Sequence, residues 1–433
     1  MVSPGKIIFN RKGTALIAVY MVVAVLLAFG GYVIDVSNSQ NNTANTFKRQ
    51  TQAISIAEAG LDRALVWLRL QGTPPQGSIS SISQNLPPTG TPLGSYTVAF
   101  TDLGSPGGST IIRRYRVRST GTIGTASQVV TTYFQPDNYA RYIWFTDSES
   151  YQGTNVWFWD QDRLNGPTHT NGHFNIKGNP IFEGEVRSVD DYLRYYNDGN
   201  NINSSNLSNP PHDLPDFQDV VTLGADAIKM PTQALNLRTA STNGGIRYTG
   251  DTTIHLNSNG TMNATNGGHT YNNIALPANG ALFVNNGNLN ISGTLSGRLT
   301  AGASGDINVT DNITYAHDPR VSGSTSTDTL GLISEGDVMI DSNASHANLE
   351  IDASIMALNT SFLLEDWWTD GARGTLTVFG GIIQKQRGPV GTFSGDTKVS
   401  GYSKNYKYDV RLLSSPPPFV PTTGDYIPLS WEN

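Results

Sequence analysis

Cysteine is absent from all 433 residues. That excludes disulfide staples, thiolate metal centres and cysteine nucleophiles together. A chain of this kind working outside a cell must hold itself together by packing and hydrogen bonds. Charge is also scarce, at 15% of residues, against roughly 25% in an average domain. The balance of 28 cations and 35 acids gives a net −7, which argues against a nucleic-acid surface, since that needs concentrated Lys and Arg. The sequence contains no GxSxG, P-loop or Rossmann fingerprint. In place of charge come 45 glycines with abundant Asn, Ser, Thr and β-formers, the composition of a turn-rich, mainly β protein. The length exceeds what one ordinary core accommodates, so two or three units are expected.

The cations are unevenly placed. Residues 1–13 hold Lys6, Arg11 and Lys12 and no acid, leaving 25 cations against 35 acids, a net −10, for the remainder. Thr14–Ile34 then runs for 21 residues without a charge. As a helix this spans about 31 Å, matching a hydrocarbon core of roughly 30 Å. A removable signal peptide has a shorter apolar core, about 7–15 residues, so the run reads as a membrane anchor with its basic leader in the cytoplasm. Beyond it Phe47, Ile54, Leu61 and Leu68 recur seven apart, with Ala57, Ala64 and Leu65 between them, an amphipathic stripe. It stops at Gly72 before Pro74 and Pro75. One element over 14–71, transmembrane at 14–34 and amphipathic at 35–71, would be about 85 Å long. Gly30–Gly31 and the polar stretch Asp35–Asn45 are its weak points.

Arg11, Lys12 and Gly13, then Ala15, Leu16 and the apolar run, then Ala57, Glu58, Ala59 and Gly60 form a pattern that resembles the N-terminal domain of PilX-type minor pilins and pseudopilins. The resemblance covers about 60 residues. It implies cleavage by a prepilin peptidase between Gly13 and Thr14, and a helix packed into the core of a type IV pilus or secretion pseudopilus. Phe47, Ile54, Glu58, Leu61 and Leu68 are the expected helix-packing residues. Thr14 stands where Phe or Met is usual, and Ala18 where major pilins carry Glu, a departure shared with tip-type and minor subunits. The partners implied are other pilins or pseudopilins, the pilus assembly machinery and the inner membrane. The place implied is a single pass in that membrane with the head outside, then the cell surface or pilus.

A turn-rich spacer follows, and strand-like runs at 95–100, 110–124 and 127–134 predict an antiparallel meander within a unit spanning 72–136. Alternation in the second run sets Ile112, Tyr115 and Val117 against Arg113, Arg114, Arg116 and Arg118, a solvated basic face rather than a binding patch. Next, Trp144, Trp157, Phe158 and Trp159 crowd together, as a carbohydrate platform or, by preference, a closing core. From Gly166 to Gly395 short β runs alternate with Gly, Asn, Asp and Ser, and two echoes recur. GHFNIKGN (172–179) returns as GNLNISGT (287–294), and GDINVTDN (305–312) as GDVMIDSN (336–343). Short strands with small polar corners predict a parallel β-helix, or solenoid, over 137–433, with a β-sandwich as the other option. The segments Gly166–Gly178, Leu330–Asp337, Ile351–Leu358 and Tyr406–Pro421 resemble an uncharacterised domain often found behind PilX-like starts. The Pro-rich C-terminal tail is expected to lie extended along the head, anchored by Phe419, Tyr426 and Trp431.

No catalytic residue stands out. Asp306, Asp311, Glu335, Asp337, Asp341 and Asp352 sit at strand starts or turns, where such side chains serve local backbone bonds. His169, Asn171 and His173 alternate, so a strand would put them on one side as a weak metal candidate lacking a third strong ligand. No cofactor is called for. The sequence therefore reads as a non-enzymatic, helix-anchored minor pilin-like subunit whose head makes assembly, tip or adhesion contacts. The alternative is a membrane-anchored surface β-helix that binds or cleaves polysaccharide. Surface glycans are thus candidate partners and nucleic acid is not.

Overall fold

The computed structural model describes residues 11–71, 73–105, 112–345, 347–394 and 397–432. Most of the basic leader and the expected helix stop at Gly72 lie outside them. Helix α1 is continuous over Arg11–Arg69, through both Gly30–Gly31 and the polar stretch. Hydroxyls there bond back one turn, Thr43 Oγ1 to the Ser39 carbonyl at 2.9 Å and Thr46 Oγ1 to the Asn42 carbonyl at 2.8 Å. Such bonds leave the helical ladder intact.

Four strands, β1 (Ile82–Leu86), β2 (Gly94–Asp102), β3 (Tyr115–Ile123) and β4 (Ala126–Asn138), form an antiparallel meander against α1. The contact face of the helix is Ala53, Ala57, Gly60, Leu61, Ala64 and Leu68. Small residues are required because the backbones nearly touch. A Cβ on Gly121 of β3 would lie 2.1 Å from the Ala53 carbonyl oxygen, and one on Gly60 would lie 2.2 Å from Ser119 Oγ. Trp67 closes the far end on Phe100, ring centroids 5.0 Å apart. Among the described residues of the basic run the strand begins at Tyr115; Arg113 before it pairs with Asp102.

The expected tail is only half right. Ser415 and Pro416 do lie along the head, where Arg298 donates to Ser415 Oγ and the Pro416 carbonyl at 2.9 and 2.6 Å. Thr422–Glu432, however, is a strand of the small sheet, antiparallel to β4 from Thr422↔Asn138 to Glu432↔Thr131. The sheet order places it at the edge, beside β4, where Pro428 is tolerated next to a register shift. Phe419 is buried in the head and Tyr426 in the small core against α1; the Trp431 side chain lies outside the described residues. The head, residues 139–421, is therefore an insertion between two paired strands, not a C-terminal domain that begins at 137 and runs to the end.

The head is built on a large mixed sheet. In one parallel ladder Ile246–Thr249, Ala281–Asn285, Arg298–Ala303, Thr329–Ser334, Leu349–Ala357 and Ala372–Gln386 pair in succession. Ile382 then pairs with Trp144, and the ladder continues through Thr168–Thr170, Val186–Ser188 and Val221–Leu223. The chain thus enters in mid-ladder at 144, builds one arm outward to 223, crosses to the opposite end at 246 and builds the second arm back. A parallel companion ladder joins Thr252–Asn257, Leu289–Leu295, Ile307–Tyr315, Val338–Ile340 and Phe362–Leu364. Antiparallel hairpins at 252–275 and 391–408 make the sheet mixed.

Three of the four echo segments, those starting at Gly287, Gly305 and Gly336, fall at one corner of this stack, whereas Asn175–Ile176 of the fourth pairs with Leu193–Tyr195 in a separate small sheet. Asp251 Oδ1 accepts the Asn288 N–H at 2.9 Å, Asn288 Oδ1 that of Asp306 at 2.8 Å, Asp306 Oδ1 that of Asp337 at 2.8 Å, and Asp337 Oδ1 that of Ser361 at 2.8 Å. Each Asn or Asp satisfies a backbone donor one layer away. The glycine before it is needed because a Cβ on Gly305 or Gly336 would sit 2.2 Å from the Asn288 or Asp306 side-chain oxygen.

Candidate functional site

Two surfaces stand out. The first is the free half of α1. Every side chain from Ala15 to Asp35 is exposed, and the helix is long and apolar enough to cross a membrane. An apolar surface this continuous is costly in water and needs lipid or protein around it. Gly13 and Thr14 lie within the α1 backbone, and their side chains lie outside the described residues. The five helix-packing residues divide. Leu61 and Leu68 are buried against the small sheet, whereas Phe47 and Ile54 are 64% and 40% exposed and Glu58 is exposed. The seven-residue spacing drifts around a helix of 3.6 residues per turn, so the stripe leaves the sheet as it is followed downward. The Ala-Glu-Ala-Gly motif places Ala57 under Gly121 and Gly60 under Ser119.

The second surface is a cleft of about 520 Å³ where the two arms of the head meet. The chain at 144–159 supplies Trp144, Tyr151, Trp157 and Trp159, and the chain at 367–406 supplies Trp367, Arg387, Phe393, Lys404 and Tyr406. Trp159, itself buried, packs directly on Phe393 along one wall, ring centroids 4.5 Å apart. The floor is an ion network. Buried Arg387 stacks on Phe158 at 3.7 Å, meets Glu149 Oε2 at 3.0 Å and donates to the Trp157 carbonyl at 3.1 Å. Lys404 Nζ holds both Asp162 oxygens, at 2.9 and 3.0 Å. Burial pushes the Lys404 ammonium below its ordinary range, with Asp162 opposing the shift. Trp144 Nε1 donates to Glu149 Oε1 at 3.0 Å. Removing one member of such a buried set strands the others, which is far costlier than losing a surface pair.

The aromatic cluster of the sequence therefore splits, Trp144 and Phe158 going largely to the core and Trp157 and Trp159 to the cleft wall. Trp367, Arg387, Phe393 and Lys404 escape sequence reasoning, because the folding of one arm onto the other brings them in from distant segments; Lys177 comes from the first arm itself, its N–H bonded to the Phe158 carbonyl at 2.7 Å.

The His169–His173 group is not one site. The strand ends at Thr170, so the expected alternation breaks. His169 is buried, stacked on Phe145 at 5.0 Å, and burial lowers its pKa to about 4. Its Nε2 meets Asn171 Oδ1 at 3.0 Å, while His173 turns away to Asp190 at 2.8 Å. Asn171 instead anchors a crossing segment, accepting from Ile228 N at 2.9 Å and donating to its carbonyl at 2.8 Å. That segment runs along the stack, held further on by Asn359 to the Thr232 carbonyl and by Glu335 to Ala234 N. No group of three or more His, Asp or Glu suited to a metal ion occurs among the described residues. Of the acids, Asp306 and Asp337 belong to the corner ladder, Asp311 and Asp341 cap their own turns, and Glu335 pairs with Arg238. Asp352 is fully buried, accepts from Tyr315 N at 3.1 Å and lies 3.4 Å from Arg320, and burial raises its pKa to about 7. The acids are not gathered on one groove.

A family model described as a domain of unknown function (DUF4900) matches residues 110–190, a span that takes in β3, β4 and the first wall of the cleft. No curated protein matches the chain. Among solved structures it is similar to the crystal structure of the competence-associated pilin ComZ from Thermus thermophilus, at 13% identity. That alignment covers 89% of this chain and 97% of the other with a TM-score of 0.34, a likeness too loose to carry an argument.

Proposed function

We propose that the chain is a pilin-like structural subunit of a type IV pilus or related secretion pseudopilus, of minor rather than major type. The observation that carries this is the division of α1. Its upper part is bound to an antiparallel sheet through small residues, and its lower part is a bare apolar rod. Such a rod suits storage in the inner membrane and later packing against the helices of other pilins. The basic leader faces the cytoplasm and is removed between Gly13 and Thr14, and the head lies outside. The head is a parallel β-solenoid in this reading, supported by its long parallel ladders and corner stack. It offers assembly, tip or adhesion contacts and performs no catalysis. Changing Gly13→Leu should block processing, so that the variant migrates as the longer precursor on a gel. Identical migration of variant and wild type overturns the peptidase step.

A second reading has a specific observation behind it, the aromatic cleft. It is a membrane-anchored surface protein that binds or cleaves polysaccharide, with α1 serving only as a tether. Cleavage by the usual pair of carboxylates needs both acids facing the substrate, and no Asp or Glu is among the described residues lining the cleft. That favours binding over hydrolysis.

A further inference from the structure

The cleft is charged in the opposite sense to the chain. Among the described residues its lining includes Lys177, Arg387 and Lys404 and no acid, in a protein of net −7. Two of the three cations are already answered from behind. Arg387 faces Glu149, and Lys404 faces Asp162. Lys177 differs. Its ammonium lies 4.8 Å over the Tyr196 ring, and that ring packs edge-on to Trp157 at 5.3 Å. Among the described residues it has no carboxylate partner. A single available positive charge thus stands beside Trp157, with Gln152, Thr154 and Asn155 on the rim.

We propose that this cleft binds an acidic sugar residue of a glycan, its ring face lying on the half-buried Trp157 and its carboxylate meeting Lys177. The C–H faces of a pyranose suit flat aromatic walls, and its hydroxyls suit amide and hydroxyl rims. The volume of about 520 Å³ falls in the ordinary range for small-ligand sites, about 300–1,000 Å³, and takes one or two sugar units rather than a long chain. Lys177, the one cation of the described lining without a carboxylate partner, matches one carboxylate per bound unit. A single-stranded nucleic acid also stacks on aromatics, but it needs a track of cations along its phosphates, and Arg387 and Lys404 are neutralised in place. The inference rests on the head being outward-facing, shared by both readings above, and not on assembly into a filament.

The test uses the full-length chain in detergent micelles, titrated by calorimetry and tryptophan fluorescence with three probes: hexagalacturonate, cellohexaose and a twelve-nucleotide thymidylate. Hexagalacturonate should bind saturably and perturb tryptophan emission, at least tenfold more tightly than cellohexaose. Loss of a charge-assisted hydrogen bond in Lys177→Gln should weaken it by about 10- to 100-fold, with Lys177→Arg close to wild type. Trp157→Ala should weaken both sugars without changing the melting temperature by more than a few degrees. Absence of saturable hexagalacturonate binding, equal affinity for the neutral sugar, indifference to Lys177→Gln, or tighter binding of thymidylate would each overturn the proposal. Because no arm needs a filament, failure of the pilin reading leaves these results to stand or fall alone.

Discussion

The two units of this molecule are held together by different means. In the small unit a helix lies so close to a sheet that glycine and alanine are needed on both sides, as Gly60 and Gly121 show. Cohesion there is apolar contact, set by a few side chains such as Leu61 and Leu68. In the head, cohesion is repetitive. Parallel ladders share their backbone bonds layer to layer, and a corner of Asp251, Asn288, Asp306 and Asp337 passes hydrogen bonds along the stack. The lesson is that a cysteine-free chain can replace disulfides by two routes, close packing and stacking. The lower part of α1 uses neither, which is why it reads as a surface meant for other molecules.

The largest effect should come from the small unit. Leu61→Ala removes a buried side chain and should cost about 2–5 kcal/mol, while Ile54→Ala, seven residues earlier on the same sequence stripe but exposed, should cost less than about 0.5 kcal/mol. Chemical denaturation of the two variants side by side checks this. Equal losses would mean that the sheet follows the sequence stripe after all. A smaller effect is expected in the head. Asp306→Ala leaves the Asp337 N–H without its acceptor and should cost about 1–3 kcal/mol. Hydrogen exchange should quicken at Asp337 and its neighbours in the stack and not in β1–β4. Exchange quickened equally in both units would show that they are one cooperative body.

The smallest effect concerns pH. Burial raises Asp352 to about 7, above its ordinary 3.8. The folded head therefore holds a proton that the unfolded chain releases. The resulting contribution to stability is complete below about pH 4 and is lost as pH rises through about 7. Comparing melting temperatures of wild type and Asp352→Asn between pH 4 and 8 isolates it. The variant should gain on wild type as pH rises across that window, and a constant difference would assign the Asp352 proton elsewhere.

Much of the small unit was legible in the sequence. The charge-free run, the helical periodicity and the alternation of β2–β4 are local signals, and they predict α1 and three strands nearly as they stand. β1 was not, because Ile82–Leu86 sits in a proline-rich spacer and is fixed as a strand by pairing with β2. The final strand was obscured in the same way by Pro428. Its partner β4 lies across the whole head, and long-range pairing leaves no local trace. In the head the Gly-Asp echo and the 287–294 half of the other marked the stack corner, while GHFNIKGN at 172–179 matched it in sequence only and lies in a separate sheet. The entry of the chain in mid-ladder carried no such mark. The cleft follows from that entry, since Trp144 meets Arg387 only when one arm abuts the other, so half of its wall could be suspected and half could not.

The central claim is that the bare half of α1 is an assembly surface exposed by processing. Shearing cells, sedimenting the released filaments and determining the N-terminus of the chain in that fraction tests it most directly. The account predicts a chain beginning at Thr14, sedimenting with filaments. A chain that keeps its first thirteen residues and remains wholly with the membranes would contradict it.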